Sequence, residues 1–390
     1  MTSIRKISIL IGVLLCLAAS VCLLRFFQDR WHHDSRQTLL KPVLASAKPL
    51  KVFILAGQSN MDGQADVRTI DFLGEDKDPA RAALLKTFKP DGKTLVTRDD
   101  VWVASGGVFD QLQPGFGGRK NYDKLGSNIG PEYAFGYYMG EALDEQVLLI
   151  KYGPGGQSLY VNFRPPSAGL PDPMPMKNGP DKTKIPMTAE DFGGQYRGLV
   201  GYVHEVLNNL KKNFPAYNDK DGYEIVGLVW FQGFNDMIEG GKPVAEYGHN
   251  LTCLIKDMRK EFKTPDMKVV VGVMGVNGVN NEIGKQGDIR NQMRSMNTVP
   301  EFKGNVKAIE SAPLLSPEVV ALKTAGWLNK DRDLKQDPLT PEEQAMLNRA
   351  TSNLGFHYFG EGRFFILLGK SMAESMLELM GKSQPQPRTK

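Results

Sequence analysis

The chain has 390 residues, of which 41% are hydrophobic and 24% charged, so apolar material for a folded core is ample. The formal net charge is +4, and acids and bases are mixed along the chain, so no basic patch argues for nucleic acid. Beyond residue 49 the only cysteine is Cys253, which excludes an internal disulfide there, and no CxxC or His-x-x-x-His pairing supports a metal site.

Two cations in MTSIRK precede an uncharged apolar run, residues 7–24, that Arg25 ends. This predicts a signal peptide or an uncleaved signal anchor over 1–24, and so an extracytoplasmic body, periplasmic or secreted, that meets the membrane through this segment if it is uncleaved. Residues 25–49 read as a polar tether. Five short runs rich in Val, Ile and Leu follow at 51–57, 145–153, 224–233, 267–275 and 305–311. They are nearly continuous rather than alternating, as strands buried on both faces of a parallel sheet should be. Helical patterns fall between and after them at 131–144, 196–214, 244–262 and 362–380. The alternation predicts βαβ units and a three-layer α/β/α sandwich. Residues 62–130 and 154–195 read as long connections at the carboxyl edge of the sheet, where open α/β folds bind ligands. The tail, 382–390, is too polar and proline-rich to fold.

Four places carry candidate chemistry. In GQSNM, Ser59 follows the first strand, where it is either a nucleophile or the cap of a helical turn. His357 lies in the glycine-rich, aromatic loop NLGFHYFGEG, and is either a base for that serine or a structural histidine. In WFQGFND, Gln232, Asn235 and Asp236 end the third strand, as oxyanion donors or as a turn and cap. Gly130 precedes a Pro-Glu helix start and could face the same edge; GPGGQSL, after the second strand, is another glycine-rich approach.

Together these blocks resemble the sialate O-acetylesterase domain and carbohydrate esterase family six, within the SGNH (GDSL-like) hydrolases. GQSNM is similar to the serine block, GPEYAFG to the helix start, GGQSL to the segment after the second strand, WFQGFND to the W-x-Q-G block, and FHYFGEGRFF to the histidine block. The resemblance implies a flavodoxin-like parallel five-stranded sheet over 50–381 and hydrolysis of acetyl esters on sugars without a cofactor. It implies Ser59 as nucleophile, His357 as base and acid, and an oxyanion hole from the Ser59 and Gly130 N–H groups and Asn235, with Gln232 as a second amide.

The third catalytic member is missing from its customary places. Three residues before His357 stands Leu354, with Asn353 beside it, and the position after Gln232-Gly233 is Phe234. Asp236 and Glu310 are the remaining carboxylates by location, and a Ser–His dyad oriented by a backbone carbonyl is the other option. Arg164, Tyr160 and Arg197, in and after the second long connection, are candidate contacts for an acetylated sugar. The alternative reading is a carbohydrate-binding protein that keeps the fold and has lost catalysis.

Overall fold

The computed structural model describes residues 48–118, 124–179, 181–280, 282–323 and 339–383. Both N-terminal expectations, apart from the end of the tether, and most of the expected tail lie outside these residues. Contacts gather Ser46–Lys390 into one unit. Among the described residues no helix is long and apolar enough to cross a membrane.

The sheet is built on β1, Leu50–Gly57, whose residues Val52 to Ala56 are fully buried because strands flank it on both sides. The other sheet strands are β2 (Arg98–Ser105), β3 (Val108–Leu112), β4 (Val147–Tyr152), β5 (Tyr223–Phe231), β6 (Lys268–Val273) and β7 (Val306–Glu310). They run in the order β7-β6-β5-β1-β4-β2-β3. All neighbours are parallel except the β2–β3 hairpin. The five expected strands are all present, and β4-β1-β5-β6-β7 is the expected flavodoxin-like order. The sheet nevertheless has seven strands, because β2 and β3 form inside the segment read as a long connection. Strand β2 opens with Arg98-Asp99-Asp100 and shows only a short apolar stretch.

Helices cover both faces. Gly130 and Pro131 start α1 (Pro131–Ala142), with the fixed φ of proline suited to the first turn. Helix α6 (Gly362–Leu379) packs against α1, and an ideal Cβ on Gly369 would lie 2.3 Å from the Pro131 carbonyl oxygen, so that crossing needs glycine. Phe53 meets Phe135 of α1 edge-on at 5.6 Å, and an ideal Cβ on Gly227 would touch Met376 of α6. Three residues on from Gly227, Trp230 points to the opposite face. There it meets Tyr247 of α3 (Tyr247–Glu261). Helices α2 (Gly194–Asn208) and α4 (Gly284–Arg294) are the other long helices that lie between the strands. Helix α5 (Pro341–Ala350) leads into the histidine loop, and its N-terminus is closed by a capping box between Thr340 and Glu343.

From β4 the chain crosses over β1 to reach β5, so strand order reverses at the carboxyl ends of β1 and β5. A crevice opens at such a reversal.

Candidate active site

Strand β1 leaves the sheet at Gly57, where an ideal Cβ would lie 2.1 Å from the Phe231 carbonyl oxygen. Any side chain there would separate β1 from β5. Ser59 then begins a four-residue helical turn, Ser59–Asp62, and is half-buried. The preceding Gln58 does not cap this turn with its side chain. Its buried side chain joins the two strand exits instead: Oε1 accepts from Gly233 N–H (3.2 Å), Phe234 N–H (3.1 Å) and Gln232 Nε2 (3.3 Å), while Nε2 donates to Asn235 Oδ1 at 3.2 Å. Asn235 therefore has its oxygen engaged, and its Nδ2 has no acceptor among the described residues.

Five residues before α6, His357 sits in a loop closed on itself. Ser352 and Asn353 N–H both donate to the Phe359 carbonyl, at 2.8 and 2.9 Å. Tyr358 and Phe359 adopt φ of 52° and 57°, a left-handed conformation uncommon for bulky residues. The buried Tyr358 ring fixes this turn: it stacks on Phe364 (3.9 Å between centroids), and its hydroxyl accepts from Gly275 N–H at 3.0 Å. Asn60 Nδ2 donates to the Phe356 carbonyl at 3.0 Å. The neighbour of Ser59 is thus bonded to the neighbour of His357. No hydrogen bond joins the Ser59 hydroxyl to the imidazole in this structure; such bonds are often long before substrate binds. Burial pushes the His357 ring down to about 4, so it is neutral near pH 7. Its Nδ1 faces Asn353 Oδ1 at 3.0 Å.

Neither carboxylate considered as third member bonds His357. Glu310 pairs with Arg294 at 2.7 Å. Asp236 is fully buried and accepts from Leu159 N–H (2.9 Å), Tyr160 N–H (2.8 Å) and Gln232 Nε2 (2.6 Å). Burial pushes its carboxyl up to about 7 against these three donors. It holds the segment after β4 against the end of β5.

Two expected oxyanion donors are already spent. Gly130 N–H donates to Glu132 Oε1 at 3.0 Å. Gln232 Nε2 is shared among Gln58, Asp236 and the Gln157 carbonyl. Gly155, of the other glycine-rich block, borders Ser59: an ideal Cβ on it would lie 3.7 Å from Ser59 Cβ. Neither Gly155 N–H nor Ser59 N–H has an acceptor among the described residues.

A buried ion pair underlies the serine turn. Lys151 Nζ donates to Glu132 Oε2 (2.9 Å), the Asp62 carbonyl (2.6 Å) and the Phe116 carbonyl (2.9 Å). Both side chains are shielded from solvent. This ties the end of the Ser59 turn to β4 and α1. A lysine inside an otherwise apolar strand run is the signal that sequence reading passed over.

The expected sugar contacts fare differently. Arg164 is buried and donates to the carbonyls of Gly169 (2.6 Å), Tyr160 (3.2 Å) and Ala168 (3.4 Å) and to Glu246 (3.3 Å), so it organises its own loop. Tyr160 is buried beneath that guanidinium, 5.1 Å from ring centroid to Cζ. Arg197 is exposed, with one bond to the Phe192 carbonyl at 2.9 Å.

No curated protein matches the chain. Solved structures resemble it, among them these three. A protein from Arabidopsis thaliana is 16% identical with a TM-score of 0.45, over 84% of this chain and 98% of that one. A carbohydrate acetylesterase from Xanthomonas citri is 11% identical with a TM-score of 0.41, over 84% of this chain and 56% of that one. The structure of NanS is 10% identical with a TM-score of 0.40, over 69% of this chain and 79% of that one. The family described as carbohydrate esterase, sialic acid-specific acetylesterase matches residues 49–318, a span that holds the serine turn, both glycine blocks and the amide block and stops short of His357. With most of its length matched, the chain belongs to this carbohydrate esterase family.

Proposed function

We propose that the protein is a serine-dependent O-acetylesterase acting on acetylated carbohydrate. Ser59 Oγ attacks the acetyl carbonyl as His357 Nε2 takes its proton. The developing oxyanion is met by Ser59 N–H, Gly155 N–H and Asn235 Nδ2. The imidazolium then protonates the departing sugar oxygen, leaving acetyl-Ser59. Water, deprotonated by His357, attacks that ester and releases acetate and the free serine.

The observation that carries this reading is the Asn60–Phe356 bond, which fastens the serine turn to the histidine loop across 296 positions of sequence. The test is acetate release from an acetylated sugar panel, together with labelling by a serine-directed fluorophosphonate. Ser59→Ala should abolish both and His357→Ala should abolish labelling. Unchanged hydrolysis in Ser59→Ala rejects the reading, whereas a folded wild type that neither hydrolyses nor labels leaves a sugar-binding protein on an esterase fold, an alternative favoured only by the absence of a carboxylate at the imidazole among the described residues. Export or anchoring through residues 7–24 belongs to the same proposal and is checked by fractionating cells that express the full chain.

A further inference from the structure

We propose that Asn353 is the positioning residue for the His357 base, so that a neutral side-chain amide stands where serine hydrolases commonly hold a carboxylate. This rests on the reading of Ser59 and His357 given above.

The Asn353 amide is oriented by more than the ring it faces. Its Oδ1 accepts from Leu354 N–H at 2.8 Å and lies 3.0 Å from His357 Nδ1. The first contact puts the oxygen, not the NH2 group, at this position, because two donors cannot meet. The imidazole nitrogen opposite must then carry the proton. Nδ1–H donates to Asn353, and Nε2 keeps its lone pair, which is the tautomer that can accept from a serine hydroxyl. The backbone holds both partners in place. Asn353 N–H donates to the Phe359 carbonyl at 2.9 Å, and His357 N–H donates to the Leu354 carbonyl at 2.9 Å, so the amide stands just before the 3-10 turn that carries the ring. The Phe356 ring, 4.3 Å from the imidazole between centroids, flanks it on the chain side.

No carboxylate competes for Nδ1 among the described residues. The serine turn and the short strand Ala65–Asp66 pack against this loop, and the Phe234–Glu239 turn reaches it through the Phe234–Phe356 contact. Their acids are committed elsewhere or exposed: Asp62 accepts from Gln64, Asp66 from Arg68 N–H and Ser127, and Asp236 from Leu159 and Tyr160, while Glu239 is exposed at the end of its turn. Within the loop's own stretch, Glu361 is buried against Ser316 and Arg363. The amide can hold the ring and its tautomer, but it adds a dipole rather than a charge to the imidazolium. The base therefore stays neutral at lower pH than an Asp-backed histidine, and the charged intermediate is less favoured.

The test uses the full chain, labelled with ¹⁵N at histidine. In the wild type, His357 should show a protonated Nδ1 and an unprotonated Nε2, whether or not the protein hydrolyses any ester tried; the opposite tautomer overturns the proposal. Asn353→Asp should move the His357 titration, and with it the acid limb of kcat/KM on an activated acetate ester, up by about 1–3 pH units. Asn353→Ala should lower kcat by about 10²–10⁴-fold at nearly constant KM, and Asn353→Asp should restore much of that loss near pH 8. A titration that stays put in Asn353→Asp, or full kcat in Asn353→Ala, rejects the assignment. Hydrolysis that survives Ser59→Ala removes the acyl-transfer reading, while the tautomer and titration still decide the Asn353–His357 pairing.

Discussion

The Lys151–Glu132 pair makes a quantitative prediction about how the fold supports the serine. In Lys151→Met the carboxylate keeps one partner, Gly130 N–H at 3.0 Å, and loses the ammonium at 2.9 Å, while the Asp62 and Phe116 carbonyls lose their donor. In Glu132→Gln the ammonium keeps both carbonyls and loses its counter-charge. Removing one partner of a buried pair costs about 3–5 kcal/mol, because the remaining charge has no water to solvate it. Each single variant should lose that amount in urea unfolding followed by tryptophan fluorescence. The double variant removes both charges, and a coupling energy of about 0.5–3 kcal/mol should make it less destabilised than the sum. Since Lys151 grips the last residue of the Ser59 turn, Lys151→Met should also lower kcat in the protein that remains folded. Single losses below about 1 kcal/mol, or strict additivity, would refute the reasoning, for then the charges would not be desolvated or would not act on each other.

Two further outcomes are expected. Gly155→Val adds a branched side chain above Ser59 on an exposed segment, so stability should stay within about 0.5 kcal/mol while kcat/KM on acetylated substrates falls sharply; unchanged kcat/KM would mean that the glycine block does not border the acyl site. His357 is held at about 4 in the folded chain and returns to about 6.5 on unfolding. The unfolded state thus binds the extra proton between these values, so this group lowers stability progressively as pH falls from 6.5 to 4 and has no such effect above 6.5. His357→Gln should flatten that part of the stability–pH curve, and an unaltered slope would show that the ring is not desolvated.

Strands buried on both faces announced themselves as apolar runs, which is why β1, β4, β5, β6 and β7 and the switch point between β1 and β5 were legible. The β2–β3 hairpin was not, because β2 takes Arg98, Asp99 and Asp100 at its entrance. Helix α4, GKQGDIRNQMR, escaped because only two large apolar side chains, Ile289 and Met293, face the core. At the site, residue types were readable and hydrogen-bond bookkeeping was not. Gly130 looks like a free donor until Glu132, two residues on, is seen to fold back onto it. Asp236 looks like a catalytic acid until the N–H groups of Leu159 and Tyr160 occupy it. Asn353 stands four residues before His357, and the 3-10 turn and left-handed residues that bring them face to face leave no mark in hydrophobic periodicity.

The histidine loop is continuous with α6, and α6 forms the layer that packs on α1. A chain cut between α5 and His357 would keep the serine, the glycine blocks and the amides, yet it would lack both the imidazole and one wall of its core. A protease that cuts in this loop before His357 should therefore remove a wall of the core and the proposed proton acceptor together.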